Sequence, residues 1–204
     1  MKAHLILSLT LGCVVFPLSA IAESRWPSDW GGGQVGYDLL LDTETRLSGD
    51  SSLRLSRTEG ATKHRFGSIV QVIDATKFAG KRLRFSGYVK AKEVTGRAGL
   101  WLRIDSSDRG TVAFDNMQRR PIKGTNDWHK YEIVLDVPQD DAMINFGALL
   151  EGRGTIWIDD LSLEVVSDAT ETTGEPMQPT NQKIEMPSWL SEEPKNLSFE
   201  AYDA

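Results

Sequence analysis

The chain has 204 residues, a formal net charge of −6 and 40% hydrophobic residues, enough for one packed domain and short for two. Its single cysteine and three histidines exclude a disulfide framework and a His/Cys metal cluster. Residues 167–204 hold eight acids against two bases, so the body is nearly neutral and lacks the basic footprint that nucleic-acid binding requires.

Met1-Lys2-Ala3-His4 precede an apolar run, Leu5 to Ala22, that ends in Ala20-Ile21-Ala22. This is the pattern of a secretory signal peptide cleaved after Ala22, and it predicts a secreted or periplasmic protein with no membrane span after cleavage. A membrane anchor is the competing reading, but Thr10, Gly12, Pro17 and Ser19 dilute the run and no basic stop-transfer flank follows it. A lipid-attachment site at Leu11-Gly12-Cys13 would leave a hydrophobic segment of only about 8 residues. Loss of residues 1–22 removes the cysteine, so the fold must hold by its core.

Trp26 and Trp30 sit in a Pro/Gly-rich opening loop that runs to Gly31-Gly32-Gly33, where they either cap one end of the fold or meet a ligand. Short β-type runs follow: Tyr37–Asp42, Ser52–Arg57, Ser68–Ile73, Arg82–Lys92, Ala98–Asp105, Thr111–Asp115, Trp128–Val137, Ala142–Leu150 and Thr155–Val166. Turn signals such as Ser48-Gly49-Asp50, Gly124-Thr125-Asn126-Asp127 and Gly152-Arg153-Gly154 separate them. Many short strands at this spacing predict an all-β, antiparallel β-sandwich or jelly roll.

Period-two alternation assigns the faces. Leu83, Phe85, Gly87 and Val89 point to the core, leaving Tyr88 and Lys90 outside. Leu100, Leu102 and Ile104 are core, leaving Trp101, Arg103 and Asp105 outside; Tyr131, Ile133, Leu135 and Val137 continue the buried set, as do Ile144, Phe146, Ala148 and Leu150. In the last run Ile156 and Ile158 share one parity while Leu161, Leu163 and Val165 share the other, so a one-residue bulge at Asp159-Asp160 is needed to keep one buried face. Trp128, Trp157 and Trp189 read as packing residues. Residues 167–195, rich in Thr, Glu, Pro and Gln, read as a linker, and Asn196–Glu200, within residues 196–204, is expected to dock as a strand on the sandwich of residues 23–166.

Three segments resemble the galactose-binding-like jelly rolls, in particular carbohydrate-binding modules of the family 4, 9 and 22 type: Leu41-Asp42 leading to Ser48-Gly49-Asp50-Ser51-Ser52-Leu53-Arg54-Leu55, Phe85-Ser86-Gly87-Tyr88-Val89-Lys90, and Trp157-Ile158-Asp159-Asp160-Leu161-Ser162-Leu163. Such modules open with a strand reading "NLgFE", whereas here Asn196–Glu200 stands at the far end. The chain thus looks circularly permuted, with the C-terminal segment completing a sheet; the alternative is a second repeat cut short. The resemblance also implies a structural Ca2+ held by Glu200 and Asp160, with Asp159 in reserve and carbonyls near Gly49. The alternative is that Asp159 and Asp160 only blunt an edge strand. No organic cofactor is implied.

Sugar-binding jelly rolls stack an aromatic ring on a pyranose and bond its hydroxyls with flanking polar groups. Trp101 with Arg103, Asp105, Tyr88 and Lys90 meets that description if their strands are neighbours, and Asp115, Asn116, Asn145 and Glu151 would extend the strip; an ordinary solvated sheet face is the plainer reading. Gly49-Asp50-Ser51 imitates a serine-hydrolase motif, but the tail carries no histidine and His64 and His129 have no evident orienting partner. The expectation is therefore a non-catalytic module binding a glycan such as a cell-envelope polysaccharide. Its rival is an accessory domain binding a protein partner, and a hydrolase stands behind both.

Overall fold

A computed structural model describes residues 26–33, 35–60, 66–178, 180 and 182–202; the expected signal segment 1–22 with Cys13, and His64, lie outside them. Ten strands follow in order: β1 (Gly31–Gly32), β2 (Tyr37–Asp42), β3 (Ser52–Arg57), β4 (Phe66–Asp74), β5 (Arg82–Ser106), β6 (Gly110–Asp115), β7 (Ile122–Asp136), β8 (Ala142–Glu151), β9 (Thr155–Val166) and β10 (Glu175–Pro176). One turn of 3-10 helix, Thr76–Phe78, precedes β5. The fold is all-β, as the alternation predicts, and all pairings between these ten strands are antiparallel.

The two runs predicted at Arg82–Lys92 and Ala98–Asp105 are one 25-residue strand. Its core positions are odd up to Ala91 and even from Val94 onward, so the strand slips one residue of phase at Lys92-Glu93, where Glu93 takes a left-handed φ of 55°. That slip lets one strand serve two sheets. Its first half pairs with β9 and β7, forming with β3 and β2 a back sheet. Its second half pairs with β8 and β6, forming with β4, β1 and β10 a front sheet.

Inner faces of the two sheets share one hydrophobic core, in which Phe85 of the back sheet meets Phe146 of the front sheet with ring centroids 5.2 Å apart. The predicted bulge in β9 is present: Ser86 faces Ser162 and Tyr88 faces Asp159, with Asp160 at φ 47°. Gly32 (φ 124°) lets β1 approach β4, where a Cβ would collide with the Ser68 carbonyl.

Two expectations for the C-terminal region are corrected. Residues 167–195 are not a detached linker: β10 adds to β6, the N–H of Met177 donates to Val112 and that of Ile184 to Ser107. The unpaired edge of β6 supplies the reason, since its backbone groups need partners. Asn196–Glu200 does dock, but as a turn rather than a strand. Asn196 and Phe199 adopt φ of 47° and 58°, and two left-handed residues within four positions turn the chain instead of extending it. The turn buries Phe199 completely against the Trp30 ring at 5.3 Å, and the Ser51 hydroxyl donates to the Phe199 carbonyl at 2.6 Å. Pro27 bridges Tyr202, so both ends of the described chain meet at one corner.

Candidate ligand-binding face

The outer face of the front sheet can be read in rows from the register. Val70, Gly147 and Trp101 stand side by side on β4, β8 and β5, and the next row holds Val72, Asn145, Arg103 and, on β6, Phe114. Two rows to the other side of Trp101, Phe66, Glu151 and Arg97 are aligned.

Trp101 is partly buried, and its indole N–H donates to the Ser68 hydroxyl on β4 at 3.0 Å. To reach that partner the ring must lie across β8, and Gly147 has no side chain to obstruct it. A Cβ at Gly147 would also strike the backbone of β4. The outcome is an indole tethered across the sheet with its polar edge already satisfied, so what remains exposed of the ring offers only apolar contact.

Polar groups flank this platform on both sides. Asp105 is 1% exposed and accepts from Arg103 and Asn145, each at 2.9 Å, and from the Thr111 hydroxyl at 2.7 Å. Its lone pairs are engaged, so its role is to hold Arg103 and Asn145 in place. On the other side Arg97 pairs with Glu151 at 2.8 Å. Four residues of strand separate position 97 from 101, about 13 Å, a span suited to a short oligomer.

Phe66, 48% exposed, and Phe114, 36% exposed, complete three aromatic residues on one face. Sequence reasoning missed both. Phe66 precedes the predicted start of its strand at Ser68, and the outward direction of Phe114 follows from its pairing with Arg103. Phe114 also lines a cleft of about 610 Å³ with Asp115, Asn116, Gln118, Arg119, Arg120 and the tail residues Thr173, Gly174 and Met177. Asp115 is buried there and accepts from Arg120 at 2.8 Å and from the Met117 N–H, which leaves Asn116 and Gln118 as the amide groups of the rim.

Tyr88 and Lys90 do not join this face. They lie in the first half of β5, beside buried Val89 and Ala91, and point outward from the back sheet, on the opposite side of the sandwich. Alternation shows that a residue faces away from the core; which sheet carries it depends on strand pairing. Lys90 pairs instead with Asp127 at 2.6 Å.

The carboxylates proposed for calcium all reach the loop Thr43–Ser51, but they meet donors there. Asp159 accepts from the N–H groups of Leu47 and Ser48 at 2.8 and 3.2 Å, Asp160 from the Ser48 hydroxyl at 2.7 Å, and Glu200 from the Asp50 N–H at 3.0 Å. A cation requires carbonyl and carboxylate oxygens converging on one point, and among the described residues no group of three or more His, Cys, Asp or Glu side chains is placed to hold a metal. These bonds tie the tail to the loop, and Gly49 (φ 56°) is the residue whose missing Cβ leaves room for Glu200.

Burial pushes the Asp159 carboxyl above the ordinary range, against the N–H donors of Leu47, Ser48 and Asp160 that pull it down. Asp42 shows the reverse balance. Burial would raise it, but hydrogen bonds from the Thr45 N–H, the Trp157 indole and the Glu44 N–H, with Arg54 nearby, hold it below the ordinary value.

No family model matches the chain. A curated relative, an uncharacterized HTH-type transcriptional regulator YbfP of Bacillus subtilis, is 39% identical over 164 residues, covering 80% of this chain and 52% of its own length; the chain thus spans about half of the relative. Solved structures similar to this one include the CBM22-1 xylan-binding domain of Paenibacillus barcinonensis Xyn10C, at 16% identity and TM-score 0.48 over 69% of this chain and 87% of that domain. Another is the TmCBM61 module in complex with β-1,4-galactotriose, at 13% identity and TM-score 0.45 over 69% and 90% of the two chains.

Proposed function

We propose that this protein is a non-catalytic binding module that takes a neutral glycan on the outer face of its front sheet. The observation that carries the reading is the partly exposed Trp101 ring, tethered by its bond to Ser68 between two internally paired polar groups, Arg103–Asp105–Asn145 and Arg97–Glu151. A pyranose presents an apolar face to an aromatic and hydroxyls to its sides, which is the complement of that surface. Because each arginine is matched by an acid, the strip favours neither an anion nor a cation.

Ser51 offers no route to hydrolysis in this reading, since its hydroxyl is buried and engaged by the Phe199 carbonyl. The described residues contain no α-helix, so they do not supply the helix-turn-helix that the name of the Bacillus subtilis relative implies. We infer that the segment of this chain that matches the relative serves as its ligand-reading part. The leader-like residues 1–22 support export of this chain. Among the described residues no helix is long and apolar enough to cross a membrane.

Titration with a panel of soluble polysaccharides, followed by tryptophan fluorescence, tests the assignment. Trp101→Ala is expected to weaken the response at least about tenfold, the loss of one central aromatic contact. Binding that survives Trp101→Ala undiminished would remove the front face from consideration.

A further inference from the structure

The outer face of the back sheet carries a second aromatic. Trp157 of β9 stands between Arg54 of β3 and Lys90 of β5 in the register. Sequence reasoning assigned it to packing, yet one part of it borders open space. Its indole N–H donates to Asp42 at 2.8 Å, which fixes the ring as Ser68 fixes that of Trp101.

Beside Trp157 the pairing of β5 with β7 is interrupted at Val89/Ala91 and again at Ala91/Val94, next to the left-handed Glu93. The opened seam is a hollow of about 450 Å³ lined by Trp157, Lys90, Lys92, Glu93, Asn126 and Asp127. Small-ligand sites usually fall between about 300 and 1,000 Å³. Lys90 is held by Asp127 at 2.6 Å, and the Asn126 amide nitrogen is held by the Lys123 carbonyl at 2.7 Å, so the polar wall is ordered before any ligand arrives. Two lysines match two acids, so an anion would meet Glu93 and Asp127 while a cation would meet Lys90 and Lys92. A neutral ring with one apolar face and a rim of hydroxyls satisfies both the indole and the wall.

We propose that this hollow is a second carbohydrate site, taking one or two neutral sugar residues against Trp157, on the side of the sandwich away from Trp101. It rests on the glycan reading for its ligand class but uses none of the same residues. Two sites on opposite sides let one module bridge two glycan chains, and where both chains belong to one network the second contact forms at a raised effective concentration.

The test is a ¹⁵N–¹H correlation titration of the protein with xylohexaose and with β-1,4-galactotriose, reading the tryptophan indole resonances, which are assigned through Trp101→Phe and Trp157→Phe. The expected result is separate saturation of the Trp101 and Trp157 signals, with the Trp157 titration persisting in Trp101→Ala. Lys92→Ala and Asn126→Ala change exposed residues and leave the core intact; each should weaken the Trp157 titration several-fold and leave that of Trp101 unchanged. A stationary Trp157 signal while Trp101 titrates overturns the second site and spares the front face. Disappearance of the Trp157 shift in Trp101→Ala overturns the second site as well. Movement of Trp157 alone overturns the front face instead, and stillness of both with both sugars overturns both.

Discussion

At the scale of single residues, Asp159 and Asp42 make opposite contributions to acid stability. A carboxyl whose folded pKa lies above its unfolded value binds more protons folded than unfolded between the two, so stability falls as pH rises through that window. Asp159 is raised from 3.8 by burial, and its window lies just above that value. Asp42 is lowered from the same 3.8; its contribution is present above that value and disappears as pH falls through the lowered one. Asp159→Asn keeps an oxygen acceptor for Leu47 and Ser48 but cannot ionise. Thermal melts from about pH 3 to pH 7 should show the difference in Tm between variant and wild type moving in the variant's favour as pH rises; a difference independent of pH would show that charge burial is not the cost. The Asp159 carboxylate itself was visible in the sequence, as one of an Asp-Asp pair at a parity defect. Its donors were not, because Leu47 and Ser48 approach from a loop more than a hundred residues away.

At the scale of elements, the strands were legible wherever burial alternates. The predicted bounds of β2, β3 and β9 are those observed, since turn residues bound each run on both sides. Pairing was less legible. The continuity of β5 depends on a phase slip at Glu93 that looks like a break, and the division of Tyr88 and Lys90 from Trp101 depends on that same slip. The tail was misread because its composition is that of a solvated segment, while its order comes from the β6 edge and from Phe199. Trp189, expected to pack, is 72% exposed. Phe199→Ala should cost about 3–5 kcal/mol in chemical denaturation, the usual loss for a fully buried phenylalanine; a change under about 1 kcal/mol would mean that the tail is not part of the core.

At the scale of the whole molecule, two sheets share one core that has no cysteine among its described residues. The loop carboxylates already have N–H and hydroxyl partners, so the protein should melt at the same temperature with and without a chelator. A drop of several degrees would place a cation among Asp159, Asp160 and Glu200. Glycan binding should likewise be indifferent to the chelator, since none of the front-face groups touches that loop.

Because Pro27 bridges Tyr202 and the Ser28 N–H donates to the Ala201 carbonyl at 3.0 Å, whatever is fused ahead of residue 26 and whatever is fused behind residue 202 must emerge through a single small exit. The unit can therefore be spliced into a surface loop of a host protein with little stretching of either partner. An attached neighbour would occupy that corner and leave both broad flanks of the sandwich open.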